Sequence, residues 1–263
     1  MHPSPASDRS RRLLGVWAHP DDESYLSAGL MGRTVAEGGH VTVVAVTDGE
    51  LGFGGDDDRV TDVKAKQRRT ELLDALTAVG VHDVRFLGRP DGGVVADDEL
   101  VGQIADIMRD VRPETVVTFG PDGVTGHADH NATSRATTSA WLRTGTGSLW
   151  FAAKRAAWLD EWRTVNDTLG VWMTGEPAPV DATLVTLDLD LSGADLAQKR
   201  AALAGHASQT DGLASVMGEE TYLRWIAGET FRRPSLDELV DVDAPHVMAN
   251  WCHPRLAAER SRS

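Results

Sequence analysis

Two clusters of histidine and carboxylate side chains carry the candidate chemistry of this 263-residue chain. Segment 19–23 has one histidine followed, after a proline, by three acidic residues, and segment 127–130 contains two histidines and an aspartate. Catalytic zinc sites use three ligands of these types and leave a fourth position open. Amide hydrolysis also needs a base and an oxyanion donor. The residues alone leave open which carboxylate and which histidines would bind a metal.

Each cluster alone is a weak signal, because an isolated His-Pro or His-x-x-His pattern is more often a turn or core feature. Both clusters, however, directly follow apolar segments that predict parallel strands, and α/β folds place their ligands at such strand ends. The first cluster contains no glycine, so it does not match the phosphate-binding turn of a nucleotide-binding Rossmann protein. The coincidence of the two clusters favours a metal site.

The elements that must position these clusters alternate along the chain. Apolar, β-branched segments predict strands at 13–17, 41–46, 84–87 and 115–119, and helical spacing predicts helices at 23–38, 62–79, 97–111 and from the second cluster to 141. In the second helix we expect a buried stripe of Val63, Leu72, Leu73, Leu76 and Val79, with Gln67, Arg68, Arg69 and Glu71 on the polar face. This alternation predicts an α/β fold, a Rossmann-like three-layer sandwich with a mostly parallel sheet.

The domain plan is a disordered tail at 1–11 and a single domain at 12–263. Within it, 12–144 forms the parallel core with the metal site, and 145–263 forms a smaller, less regular C-terminal portion that shapes the substrate pocket. Strands at 149–153 and 183–187 and helices at 195–204 and 219–227 are expected there. Seven of the eight tryptophans lie from Trp141 onward. Core or dimer packing explains them better than a sugar-stacking platform does.

Composition narrows the classes of partner. Forty acidic residues against 26 basic ones give a formal charge of -14, which disfavours nucleic acid and anionic membranes as partners. The lone Cys252 cannot form an internal disulfide, and no signal peptide or membrane-inserted segment is expected. We therefore expect a cytoplasmic protein with a small-molecule substrate, and the sequence leaves open whether it forms a homo-oligomer.

Three motifs in order resemble the PIG-L/LmbE-like zinc-dependent N-deacetylases. They are Ala-His-Pro-Asp-Asp-Glu at 18–23, Thr-Asp-Gly-Glu at 47–50 and Gly-His-Ala-Asp-His at 126–130. The similarity covers most of residues 12–140 and extends to the Lys/Ala/Leu/His/Ser-Gln segment at 199–209. It implies a hydrolase that removes the N-acetyl group from an N-acetylglucosamine-type amino sugar or glycoconjugate. The alternatives are an amidase of mycothiol-type thiol conjugates and a non-catalytic metal- or sugar-binding module.

The resemblance also implies roles for individual residues. His19, Asp22 and His130 would bind Zn²⁺, with Fe²⁺ as the alternative metal, and Asp21 would be the general base. The remaining assignments are His127 as the oxyanion donor and an acid for the leaving amine, Asp129 as the group that orients an imidazole, and Arg68, Asp91 and His206 as substrate-binding residues.

Two departures from the family pattern bear on these roles. The mycothiol-precursor deacetylases carry a tyrosine two residues before His127, where this chain has Thr125. A phenolic oxyanion donor is therefore missing from that position. Many members have proline where this chain has Ala128, a difference that changes loop stiffness more than chemistry.

Overall fold

The structure is a computed structural model that describes residues 11–54 and 57–242. Residues 1–10 of the expected tail, together with Trp251 and Cys252, lie outside the described residues. Within the described ranges, no helix has both the length and the apolar character needed to cross a membrane.

Seven strands form one sheet. Their bounds are β1 Arg12–Trp17, β2 His40–Thr47, β3 Asp83–Arg89, β4 Thr115–Phe119, β5 Ser148–Ala153, β6 Val185–Asp190 and β7 Gly228–Arg232. The sheet order is β3-β2-β1-β4-β5-β7-β6. The first five strands pair in parallel, whereas β7 is antiparallel to both of its neighbours. The predicted α/β class with a mostly parallel sheet is confirmed.

Eight helices with both ends inside the described residues flank this sheet, and a further helical segment starts at residue 236. Their bounds are α1 Asp22–Ala36, α2 Thr61–Ala78, α3 Asp98–Val111, α4 Ala128–Thr144, α5 Ala156–Leu169, α6 Gly193–Gly205, α7 Ala207–Met217 and α8 Glu219–Ile226, with a short 3₁₀ turn at Ala182–Leu184. Alternate residues of β1 enter two separate cores. Leu13 packs with residues of α1, α2 and α6, and Leu14 packs with residues of α3 and α4. Because each face of the sheet is covered by helices, the structure is the expected three-layer sandwich.

The α2 helix corrects one sequence expectation. Val63 and Leu73 are 47% and 46% exposed, whereas Arg68 and Glu71, which we expected on the polar face, are buried. The buried stripe therefore holds charged groups, and these groups have specific partners. Glu71 accepts hydrogen bonds from the backbone and hydroxyl of Ser208 at 3.2 and 2.6 Å. A hydrophobicity pattern cannot anticipate a buried charge whose partner lies 137 residues away.

The C-terminal portion is more regular than its sequence indicates. Strands β5 and β6 and helices α6 and α8 match expected elements, but α5, α7 and β7 were missed. Strand β7 has the sequence Gly-Glu-Thr-Phe-Arg, whose buried Glu229 does not fit a hydrophobic strand pattern. It pairs with β5, so the C-terminal portion completes the same sheet. Trp158, Trp162 and Trp225 are buried in a third core, as the core interpretation predicted.

Sheet topology fixes the place of the site. The chain moves from β1 to β2 and β3 on one side, and then returns to place β4 on the other side of β1. The carboxyl ends of β1 and β4 therefore border the crevice where strand order reverses. The loops after these two strands carry the two histidine and aspartate clusters.

Candidate active site

The loop after β1 delivers its side chains through an uncommon backbone conformation. Asp21, which precedes α1, has a φ of 125°, a region that residues other than glycine rarely occupy. Its backbone N–H donates to Glu23 Oε2 at 2.9 Å, and its carbonyl accepts from the N–H groups of Ser24 and Tyr25 at 3.0 Å each. These bonds hold a strained residue at the start of α1, and strain of this kind clusters at functional sites.

Three side chains from the two loops present donor atoms to one another. His19 Nδ1 lies 3.2 Å from His130 Nε2 and 3.6 Å from Asp22 Oδ2, and His130 Nε2 lies 3.3 Å from Asp22 Oδ1. Ligands at about 2.0–2.2 Å from a tetrahedral metal are separated by about 3.3–3.6 Å. The spacing of His19, Asp22 and His130 therefore fits a tetrahedral metal ion.

Hydrogen bonds on the far side of each imidazole orient these donor atoms. His130 Nδ1 faces the carbonyl oxygen of Gly123 at 2.9 Å, which places the proton on Nδ1 and leaves Nε2 free as a ligand. His19 Nε2 lies 3.3 Å from Asp129 Oδ2 and 3.1 Å from Asp91 Oδ1. Carboxylates that hold the outer nitrogen of a histidine are the usual support of a metal site.

The carboxylates around His19 also favour the binding of a cation. Burial lowers the pKa of His19, but hydrogen bonds to Asp129, Asp22 and Asp91 outweigh it and raise the pKa to about 12. The surrounding carboxylates thus stabilise a positive charge at this point of the cleft. Imidazole and carboxylate ligands suit Zn²⁺, and Fe²⁺ binds ligands of the same types.

Two other groups also bring possible ligand atoms within 4.8 Å of one another. They are His19 with His127 and His130, and His19 with Asp91 and Asp129. Both are weaker choices, because their extra members have protein partners. His127 Nδ1 accepts the N–H of Asp129 at 3.1 Å, and Asp129 accepts the N–H groups of Gly92 and Val94 at 2.7 and 3.0 Å.

The pKa values of the adjacent Asp21 and Asp22 are shifted in opposite directions. Burial raises the pKa of Asp21, and this effect exceeds the opposing effect of the Arg68 guanidinium. Burial also acts on Asp22, but the neighbouring imidazoles of His130 and His19 outweigh it and lower the pKa of Asp22 to about 2. A carboxylate with a raised pKa suits proton transfer, and one that stays ionised suits metal binding. The environments therefore separate two side chains that the sequence alone could not tell apart.

His127 lies beside the three donor residues and begins α4. Its ring centroid lies 4.7 Å from that of His19. Burial lowers the pKa of His127, and the neighbouring imidazoles of His19 and His130 lower it further. Because its Nδ1 accepts a backbone N–H, the neutral ring carries its proton on Nε2 and can donate it. Asp129 faces the imidazole of His19, which is consistent with its expected orienting role.

Arg68 lies on the Asp21 side of the site and is 1% exposed. Its Nη2 donates to the Pro20 carbonyl and lies 3.4 Å from Asp21 Oδ2, whereas Nε and Nη1 are buried without a hydrogen-bond partner among the described residues. Glu50 Oε2 is also buried without a hydrogen-bond partner among the described residues. The Thr-Asp-Gly-Glu motif at 47–50 follows β2, but the sequence assigned no role to its Glu50.

Asp91, for which the resemblance implies a substrate-binding role, lies beside His19. Its Oδ1 faces His19, and its Oδ2 accepts the N–H of Leu51 at 2.7 Å. Hydrogen bonds from its protein partners lower the pKa of Asp91 against the opposing effect of burial. In this arrangement both oxygens contact protein groups, so Asp91 supports His19.

His206 lies beneath the loop that carries Asp21. It is 0% exposed, and its Nε2 lies 2.7 Å from Glu23 Oε1. In this arrangement His206 supports the loop, and the substrate-binding role that the resemblance implies stays a prediction. Glu23 joins His206 to the backbone of Asp21. The signal that could have revealed this role was a third acidic residue within the first cluster.

The chain is similar in sequence to proteins of a known family. The PIG-L family model, described as GlcNAc-PI de-N-acetylase, matches residues 14–141. A protein named 1D-myo-inositol 2-acetamido-2-deoxy-alpha-D-glucopyranoside deacetylase from Kineococcus radiotolerans is 34% identical, with 77% of this chain and 70% of that protein covered. A protein of the same name from Thermobifida fusca is also 34% identical, with 76% and 83% covered.

A solved structure shares the fold. N,N'-diacetylchitobiose deacetylase from Pyrococcus horikoshii superposes with a TM-score of 0.62, with 88% of this chain and 85% of that chain covered, at 21% identity. That identity supports a common fold alone. The two deacetylases named above are each 34% identical to this chain, with 70% and 83% of their own lengths covered. The chain therefore belongs to the PIG-L family.

Proposed function

We propose that this protein is a metal-dependent hydrolase that removes the N-acetyl group from an N-acetylglucosamine-type amino sugar or glycoconjugate. The observation that carries the proposal is the juxtaposition of His19, Asp22 and His130 donor atoms at 3.2–3.6 Å, with the raised-pKa Asp21 next to Asp22 in the chain. Deacetylases among the family relatives support the choice of reaction.

His19, Asp22 and His130 would hold the metal, for which we propose Zn²⁺. When bound, the ion acts as a Lewis acid on the amide carbonyl and makes water a better nucleophile near neutral pH. Asp21 accepts the proton of the attacking water, because its pKa is raised and it is free of the two imidazoles that hold Asp22.

His127 donates a hydrogen bond from Nε2 to the oxygen that gains negative charge, and the proton that Asp21 takes from water passes to the leaving amine as the amide C–N bond breaks. Arg68, whose Nη2 lies 3.4 Å from Asp21 Oδ2, keeps Asp21 within reach of its ionised form, and its substrate-binding role is part of the proposal. Thr125 lies 3.1 Å from His130 through its hydroxyl and lacks the reach of the tyrosine found in the mycothiol-precursor enzymes. In this chain the oxyanion role therefore falls to His127.

Acetate release tests this proposal. Zinc-loaded protein should release acetate from N-acetylglucosaminyl inositol or from methyl N-acetylglucosaminide, and the metal-free protein should not. His130→Ala should lose both metal and turnover, while His82→Ala, at an exposed histidine outside the site, should keep both. Consumption of a cysteinyl amide of the same sugar in preference to the acetyl compound would favour the thiol-conjugate amidase instead. Zinc binding without turnover of any amide would favour a non-catalytic module.

A further inference from the structure

The junction between α6 and α7 brings a buried histidine towards the loop after β1. At the end of α6, Gly205 lies so close to α2 that a Cβ atom on it would come within 2.7 Å of the backbone N and Cα of Ala75. Glycine has no Cβ and therefore permits this approach. The next residue, His206, links the two helices and is 0% exposed. The close packing of α6 on α2 thus places the His206 imidazole in the protein interior.

Two consecutive hydrogen bonds join His206 to the backbone of Asp21. His206 Nε2 lies 2.7 Å from Glu23 Oε1, and His206 is the donor because a carboxylate oxygen accepts. The hydroxyl of Ser24 donates to the same oxygen at 2.6 Å. Glu23 is 1% exposed, and its Oε2 accepts the backbone N–H of Asp21 at 2.9 Å. One buried carboxylate therefore connects the imidazole to the residue that we propose as the proton acceptor.

The backbone of Asp21 depends on such a connection. Its φ of 125° is rare for a residue with a Cβ atom, and a conformation of this kind persists only when the surrounding structure holds it. A glutamate side chain without a partner has several rotamers and would hold the Asp21 N–H poorly. The hydrogen bond from His206 selects one rotamer of Glu23. Relaxation of Asp21 to a common φ would turn its carboxylate away from its place beside Asp22.

From these contacts we propose that His206 is a positioning residue for amide hydrolysis, which acts through Glu23 to keep the Asp21 carboxylate in place for proton transfer. The inference rests on the proposed function, in which Asp21 accepts the proton of water. It gives the histidine of segment 199–209 a part in catalysis that needs no contact with substrate. A positioning role predicts an effect on kcat, whereas a substrate-binding role predicts an effect on KM.

Two substitutions at position 206 test the hydrogen bond. Gln carries an N–H at the same number of bonds from the backbone as Nε2, whereas the shorter Asn places its amide where Nδ1 lies and does not reach Glu23. His206→Asn should lower kcat for acetate release about 10–100-fold, and His206→Gln should stay within about threefold of the wild type. KM and zinc content should be unchanged in both, and His82→Asn, at an exposed histidine, should match the wild type.

Equal losses of kcat in His206→Gln and His206→Asn would overturn the proposal, because only one of them keeps the donor. A raised KM with an unchanged kcat would also overturn it and would favour substrate binding by His206.

A neighbouring residue separates positioning from general loosening of the junction. Ser208 donates from its backbone and hydroxyl to Glu71 of α2 and makes no printed contact with the loop after β1. Ser208→Ala should lower the melting temperature, because it removes a hydrogen bond to a carboxylate, yet keep kcat within about twofold of the wild type. If Ser208→Ala lost as much kcat as His206→Asn, the effect at position 206 would be a consequence of loosening, and the positioning role would be wrong.

Hydrogen exchange measures the same connection without turnover. In the wild type, NMR should show slow exchange of the Asp21 amide, with exchange at least about tenfold faster in His206→Asn and close to wild type in His206→Gln. Rapid exchange in the wild type itself would overturn the proposal without any variant. The expected pattern in a zinc-loaded protein that hydrolyses no amide would support the connection and refute the proposed function. Acetate release with one exchange rate in all three proteins would overturn this inference alone.

Discussion

The buried Lys199–Glu229 pair gives a quantitative test of how the fold holds the site. Both side chains are 0% exposed, and Lys199 Nζ donates to Glu229 Oε1 and to the carbonyl of Tyr25 at 2.8 Å each. Glu229 also accepts the backbone N–H groups of Gly29 and Leu30 at 2.8 and 2.9 Å. The pair therefore ties α6 and β7 to α1, the helix that starts at the catalytic loop.

Replacing Lys199 by methionine removes one partner and leaves an uncompensated buried carboxylate. Breaking a buried pair in this way costs about 3–5 kcal/mol of unfolding free energy. With a melting shift of about 2–4 °C per kcal/mol for a domain of this size, the melting temperature should fall by roughly 6–20 °C. The second substitution Glu229→Gln should recover part of the loss, because it removes the unpaired charge.

Denaturant unfolding followed by far-UV circular dichroism measures these free energies. Lys66→Met, on the exposed face of α2, serves as the matched control and should change stability by less than about 0.5 kcal/mol. A loss below about 1 kcal/mol in Lys199→Met would refute the reasoning, since it would mean that Glu229 finds water or another partner at no cost.

Three further predictions concern the site and its surroundings. Glu23→Gln should lower kcat about 10–100-fold with little change in KM in steady-state assays, because Glu23 positions Asp21 without touching substrate. Arg68→Met should move the acidic limb of the pH profile of kcat to higher pH, because the guanidinium lowers the pKa of Asp21. Burial lowers the pKa of Lys154 to about 7 in the folded state, so folding carries a penalty that is complete below pH 7 and fades as pH rises towards 10.5. Lys154→Met should therefore raise the melting temperature more at pH 7 than at pH 10.

The sequence was sufficient for the parallel half of the fold because each strand there is a continuous apolar segment with a clear helix after it. Strand β7 was not predictable in this way. Its Glu229 belongs in a buried strand only because Lys199 lies opposite it, and that contact is made in three dimensions. Helix α5 combines four charged side chains with buried Trp158 and Trp162, and its boundary from the preceding strand has no marked sequence signal.

The candidate site was likewise only partly predictable from the sequence. The placement of both clusters at neighbouring strand ends followed from sequence pattern, and the structure brings His19, Asp22 and His130 together. The supporting roles of Glu23 and His206 could not be predicted from the sequence, because they depend on which neighbours surround each side chain in the fold. Glu23 and His206 lie 183 residues apart in the chain and 2.7 Å apart in the fold, and only the structure reveals that they act as a pair.

The measurement that tests the central claim most directly is the metal content and turnover of Asp21→Asn. If Asp21 is the proton acceptor and Asp22 a ligand, the variant should bind zinc with the stoichiometry of the wild type and lose acetate release by about 10²–10⁴-fold. Unchanged turnover would contradict the role of Asp21. Loss of zinc together with activity would contradict the division of labour between the two aspartates.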